Sequence, residues 1–193
     1  MRWHDILPME RLEIGVKRDE EPERTPFEGD IDRITFSSAF RRLQDKTQVH
    51  GSSGTDYART RLTHSMEVSR IGSSLGRNVG RRIAKDHKNL PWTPGDLGDV
   101  IQAASLAHDI GNTPFGHEGE KIISDFFRNN SIGQRVLENL PKRMQVELSH
   151  FEGNAQGFRV ITRLDGWRTT GGLCLTYAVL SAFSKYPFAA NPD

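Results

Sequence analysis

His108 and Asp109 stand side by side in the stretch ASLAHDIGNTPFGHEGE (104–120), and His117 and Glu120 close it. The pattern predicts a helix that stops at Gly111, a Pro-Phe-Gly turn, and a second helix with His117 and Glu120 in its first turn. Residues three apart on a helix share a face, so a carboxylate at 120 can orient an imidazole at 117 and raise its basicity. That arrangement serves proton transfer. The helix dipole alone accounts for Glu118 and Glu120 in a first turn, but not for a histidine at the positive end. His64 adds a second imidazole to His108 and Asp109. Two neutral imidazoles and a carboxylate form a mixed N/O set suited to Mn, Mg, Fe, Co or Ni, with positions left for water and substrate. On spacing alone, buried and hydrogen-bonded histidines remain an equal alternative.

Helices must carry these groups to one place. From His64 the residues Val68, Ile71, Leu75, Val79 and Ile83 recur at helical spacing, predicting an amphipathic helix packed on the core by that stripe, with Thr63 as its N-cap. His64 shares the stripe and is expected to face inward. A helix over 96–109 places Leu97, Ile101, Ala104 and His108 together, with Asp109 about 100° round. Upstream, Gly29 and Asp30 open a helix through Leu43, and Gly51 to Gly54 predict a mobile loop. Downstream, helices are expected at 117–129, 154–164 and 173–185, with a polar link around Pro141. Residues 1–28, with Pro8, Pro22 and Pro26, read as an arm. No alternating strand pattern stands out, so the class is all-α.

Composition sets the outer limits. The 193 residues carry 26 Lys+Arg against 25 Asp+Glu, which leaves no global attraction to nucleic acid or membrane. Any anion site must be local. Arg59, Arg61 and Lys185 are the basic candidates; Arg77, Arg81, Arg82 and Lys85 read as a solvated face. Cys174 is the only cysteine, which excludes an internal disulfide and fits a reducing, cytoplasmic setting. No apolar run is long enough to span a bilayer, and the N-terminus lacks a signal-peptide core. Hydrophobic content of 35% is lean for a complete domain and suits a piece whose partner surface lies elsewhere.

The blocks FSSAFRRLQDKTQV (36–49), RTRLTHSMEVSRIG (59–72), LAHDIGNTPFGHEGE (106–120), HFEGNAQGFRVITRL (150–164) and KYP (185–187) occur together and in this order. In that combination the chain resembles the dGTPase-like branch of the HD-domain metal-dependent phosphohydrolases, across roughly residues 24–187.

The resemblance implies an HD-domain helical bundle over 29–193, as the N-terminal portion of a longer protein. It makes His64, His108 and Asp109 metal ligands, with a further aspartate from a helix beyond Asp193. It makes His117 and Glu120 the catalytic pair, Gln48 and Val49 lining of the deoxyribose and base pocket, and Arg61, Asn154, Lys185 and Tyr186 phosphate neighbours. The implied reaction converts a deoxynucleoside triphosphate to deoxynucleoside and inorganic triphosphate. A homo-oligomer and a single-stranded DNA or dNTP effector are implied partners; a membrane is not. Two alternatives stand beside this reading: a nucleotide- or nucleic-acid-binding protein without turnover, and an HD phosphohydrolase acting on another nucleotide.

Overall fold

The computed structural model describes residues 2–12, 23–48, 59–166 and 172–187. Among them every element is helical, as the all-α expectation required. The α-helices are α1 (Pro26–Thr35), α2 (Ser38–Arg41), α3 (Arg61–Asp86), α4 (Pro94–Ala107), α5 (His117–Asn129), α6 (Ser131–Glu138), α7 (Lys142–Ser149), α8 (Gly153–Arg159) and α9 (Tyr177–Phe183). A π-helical turn, Val160–Leu164, extends α8.

α4 lies at the centre, with α3 along one side and α1 and α9 on others; α5, α6 and α7 pack together at the periphery. Phe27, Ile34, Leu43, Ile110, Ile161, Leu175 and Val179 are fully buried in the core that joins these layers. The N-terminal segment is tied in by Leu7, which is buried, and by Arg11. The Arg11 guanidinium pairs with the fully buried Asp30, whose second oxygen accepts from the backbone and hydroxyl of Thr176 at 2.9 and 2.7 Å.

Several expectations change. The single helix over 29–43 is three pieces: α1 begins earlier, behind a capping box from Thr25 to Glu28, and the chain breaks at Phe36 before α2 and a 3-10 turn. The cap of α3 is Thr60, whose side chain accepts from the Thr63 backbone, so Thr63 lies inside the helix. The link around Pro141 carries α6 and α7, and the last helix shrinks to α9, which starts after Cys174 at φ +52° and is capped by Thr176, whose side chain accepts the Val179 N–H.

The largest correction concerns the faces of α3. Ser65, Ser69, Ser73, Gly76 and Gly80 are buried, whereas Ile71, Leu75 and Val79 are exposed; only Ile83 of the expected stripe is buried. The reason is distance between backbones. A Cβ on Gly76 would lie 3.0 Å from Gly98 Cα and one on Gly80 2.8 Å from Pro94 Cα. Small residues let α3 and α4 touch, and a larger side chain on that face would push them apart. Arg77 also leaves the expected solvated face, donating to Asp99 of α4 at 2.7 Å.

Candidate metal centre

The close approach of α3 to α4 brings His64, in the first turn of α3, beside His108, the residue that ends α4. Their rings meet edge to face with centroids 5.2 Å apart. Ligand atoms from His64, His108 and Asp109 all lie within 4.8 Å of one another.

The hydrogen bonds around the triad decide which atoms are available. His108 Nδ1 is 2.7 Å from the Ser105 carbonyl oxygen. A carbonyl only accepts, so Nδ1 holds the proton and Nε2 presents a lone pair. Asp109 Oδ1 accepts from Arg61 Nη1 and Asn112 Nδ2, each at 2.7 Å. Among the described residues Asp109 Oδ2 is buried without a hydrogen-bond partner, and it lies 3.7 Å from His108 Nε2. A buried carboxylate oxygen with no donor is costly, and beside two imidazole nitrogens it is the atom a divalent cation would satisfy. The donor set therefore fits the implied metal.

Arg61 is placed by the chain that enters α3. Its backbone N–H donates to the Lys46 carbonyl at 2.8 Å, and the Gln48 N–H donates to the Arg59 carbonyl at 2.9 Å. Thr47 and Thr60 form the bridge between them. The Arg61 guanidinium is buried against Asp109, and its Nε has no partner among the described residues. Lys46 donates from Nζ to the Asn112 carbonyl at 2.8 Å. Burial, followed by the neighbouring Arg61 charge, depresses the Lys46 pKa.

The second pair forms as the spacing required. His117 Nδ1 is 2.9 Å from Glu120 Oε2, while the imidazole itself is 96% exposed. Glu120 Oε1 accepts the Gly153 N–H at 2.9 Å, which anchors α5 to the start of α8. A Cβ at Gly153 would lie 2.6 Å from both Glu120 Oε1 and Asn112 Oδ1. Asn112, which holds Asp109, and Glu120, which holds His117, thus abut the same glycine. A second close approach locks the turn after Asp109: Gly111 adopts φ +93°, and a Cβ there would lie 2.2 Å from the Gly157 nitrogen of α8.

The remaining sequence candidates scatter. Gln48 is half-buried, with Oε1 unpartnered among the described residues. Asn154 follows Gly153 and donates to Glu152, the cap of α8. Val49 lies outside the described residues. Lys185 stacks over the Tyr186 ring, 5.1 Å from its centroid; both are exposed, and no hydrogen bond among the described residues joins them to the triad. Arg59 pairs with Glu67 at the surface, 3.2 Å away. Two residues at the site had not been singled out, Lys46 and Asn112. Both sit inside motif blocks, KTQV and HDIGN; Asn112 holds Asp109 through its side-chain amide, and Lys46 reaches the Asn112 backbone carbonyl, a contact that residue types do not announce.

Residues 61–165 match the HD domain family model. A deoxyguanosinetriphosphate triphosphohydrolase-like protein of Pseudomonas aeruginosa (strain LESB58) is 47% identical over 193 residues, covering 99% of this chain and 43% of the relative. A protein of the same name from Synechocystis is 48% identical over 192 residues, covering 97% and 43%. One from Listeria monocytogenes is 40% identical over 200 residues, covering 98% and 43%. The chain thus spans 43% of the length of these relatives.

Proposed function

The chain belongs to the HD-domain family, and from that premise we propose that the protein is a metal-dependent hydrolase of deoxynucleoside triphosphates. Its products on this reading are deoxynucleoside and inorganic triphosphate. The observation that carries it is the orphaned Asp109 Oδ2 beside His64 and His108, with the Asn112 that holds Asp109 and the Glu120 that holds His117 both against Gly153. The relatives' names supply the nucleotide class.

Held by His64, His108 and Asp109, a divalent cation supplies Lewis-acid polarisation of the phosphoryl group. The chain's own residues do the rest. Arg61, held by Asp109, and Lys46, held by the Asn112 carbonyl, set two cationic side chains beside the cluster to offset charge on the phosphate oxygens. Glu120 holds His117 through Nδ1, leaving Nε2 to handle the proton. As the water oxygen bonds to the α-phosphorus and gives up a proton to solvent, the bond to the 5′-oxygen breaks and that oxygen takes a proton from His117, which solvent then restores. The exposed imidazole can meet a polyanionic substrate without passing through the core.

The test is product analysis on the full-length protein with manganese and each dNTP in turn. Inorganic triphosphate is expected as the phosphorus product, and His117→Ala is expected to abolish its release while leaving metal affinity unchanged. Release of pyrophosphate or orthophosphate alone would refute the reaction.

A further inference from the structure

Phe115 stands in the turn that joins the metal cluster to His117, with its backbone in the left-handed region at φ +69°. That region is sterically costly for a residue with a bulky side chain. Among the described residues, Asn89 and Cys174 also adopt positive φ without being glycine. Asparagine tolerates the region through its short polar side chain. Cys174 is buried. Phe115 is instead 62% exposed, so burial of its ring offsets little of the cost.

The turn needs this backbone, but not this ring. The Thr113 hydroxyl donates to the Gly116 carbonyl at 2.7 Å, and the Gly116 N–H donates to the Thr113 carbonyl at 3.1 Å. Gly119 of α5 closes on the turn, since a Cβ there would lie 2.2 Å from the Pro114 carbonyl oxygen. Gly116 follows at φ +56°. A glycine at 115 would give the same pair of left-handed residues at no steric cost. The phenyl ring therefore serves something outside the turn, and its place limits what that is. A Cβ on Gly116 would lie 3.5 Å from Arg61 Nη2, the guanidinium that holds Asp109. His117 comes next, with its imidazole exposed.

We propose that the Phe115 ring stacks on the base of a bound deoxynucleoside triphosphate. The inference rests on the hydrolase reading of the site. On that reading the cation, Arg61 and Lys46 take the phosphates, and His117 meets the 5′-oxygen, where the polyanion ends and the nucleoside begins. The base is the flat, apolar part of such a ligand, and Phe115 sets an exposed aromatic surface two residues from that junction. Every base has a π-face, so the ring adds affinity without choosing among bases.

The experiment is calorimetry on the full-length protein with manganese and two probes. One is a dNTP analogue with a methylene in place of the 5′-oxygen; the other is inorganic triphosphate. Phe115→Ala keeps the Cβ and the φ angle and removes only the ring. It is expected to weaken the analogue about tenfold and to leave inorganic triphosphate unchanged. Phe115→Tyr is expected to bind both probes as the parent does. An unchanged analogue affinity in Phe115→Ala would overturn the proposal, as would a loss in Phe115→Tyr as large as in Phe115→Ala. An equal loss for both probes would also overturn it, since the ring would then be holding the turn. Failure of the hydrolase reading shows differently: a dNTP yields pyrophosphate or orthophosphate alone, while the two probes still decide Phe115. A parent that binds no analogue would overturn both.

Discussion

Arg61→Met asks what the buried Arg61–Asp109 pair is for. The two side chains are 7% and 4% exposed and meet at 2.7 Å. Removing one partner of such a pair leaves an uncompensated buried charge, worth roughly 3–5 kcal/mol. Asn112 still donates to Oδ1 in the variant, so the low end applies, about 3 kcal/mol. For a domain of this size that lowers the melting temperature by about 6–12 °C in EDTA. Methionine keeps most of the arginine stem's volume, so lost packing contributes little. A cation on Asp109 Oδ2 would neutralise the same carboxylate, and binding that favours the folded state stabilises it by mass action. The variant should therefore gain more from manganese than the parent does and recover most of its loss. The assay is thermal unfolding of both proteins in EDTA and in a manganese series. Equal losses under both conditions would refute the argument that Asp109 faces a cation.

Two further substitutions probe how the site is held. Gly157→Ala puts a Cβ 2.2 Å from the Ile110 carbonyl oxygen, so the turn after Asp109 must move; about 1–3 kcal/mol of destabilisation and weaker manganese binding are expected by calorimetry. Unchanged stability would show that α8 does not brace that turn. Asp99 tests pH dependence: burial raises its pKa above 3.8, against the opposing pull of Arg77. A carboxyl that holds its proton more tightly when folded costs stability as pH rises through the window above 3.8. Asp99→Asn should thus gain melting temperature relative to the parent between acid and neutral pH; a constant difference would contradict the burial argument.

The clustering of the site residues was more legible than the packing. His64, His108, Asp109, His117 and Glu120 are conspicuous by type and spacing, and α5 runs from His117 to Asn129 as its pattern predicts. The face of α3 was misassigned because hydrophobic periodicity marks apolar side chains, whereas here the core contact is made by serine and glycine at three- and four-residue spacing. Those residues signal close approach, not burial of large groups, and nothing in α3 itself says which neighbour comes close. Ile71, Leu75 and Val79 of the apolar stripe stay exposed. The break at Phe36 and the two short helices around Pro141 escaped because their turns are set by caps, such as Ser37 to Phe40 and Asn130 to Ile132. Lys46 was invisible for a different reason: its partner is a main-chain oxygen brought near by the turn after Asp109.

The central claim is that one divalent cation sits among two imidazoles and the second oxygen of Asp109. Anomalous diffraction from crystals soaked in manganese tests it most directly. The account predicts a single peak within coordination distance of His64, His108 Nε2 and Asp109 Oδ2, lost in His108→Ala. A peak elsewhere, or one on Asp109 with both imidazoles turned away, would contradict it.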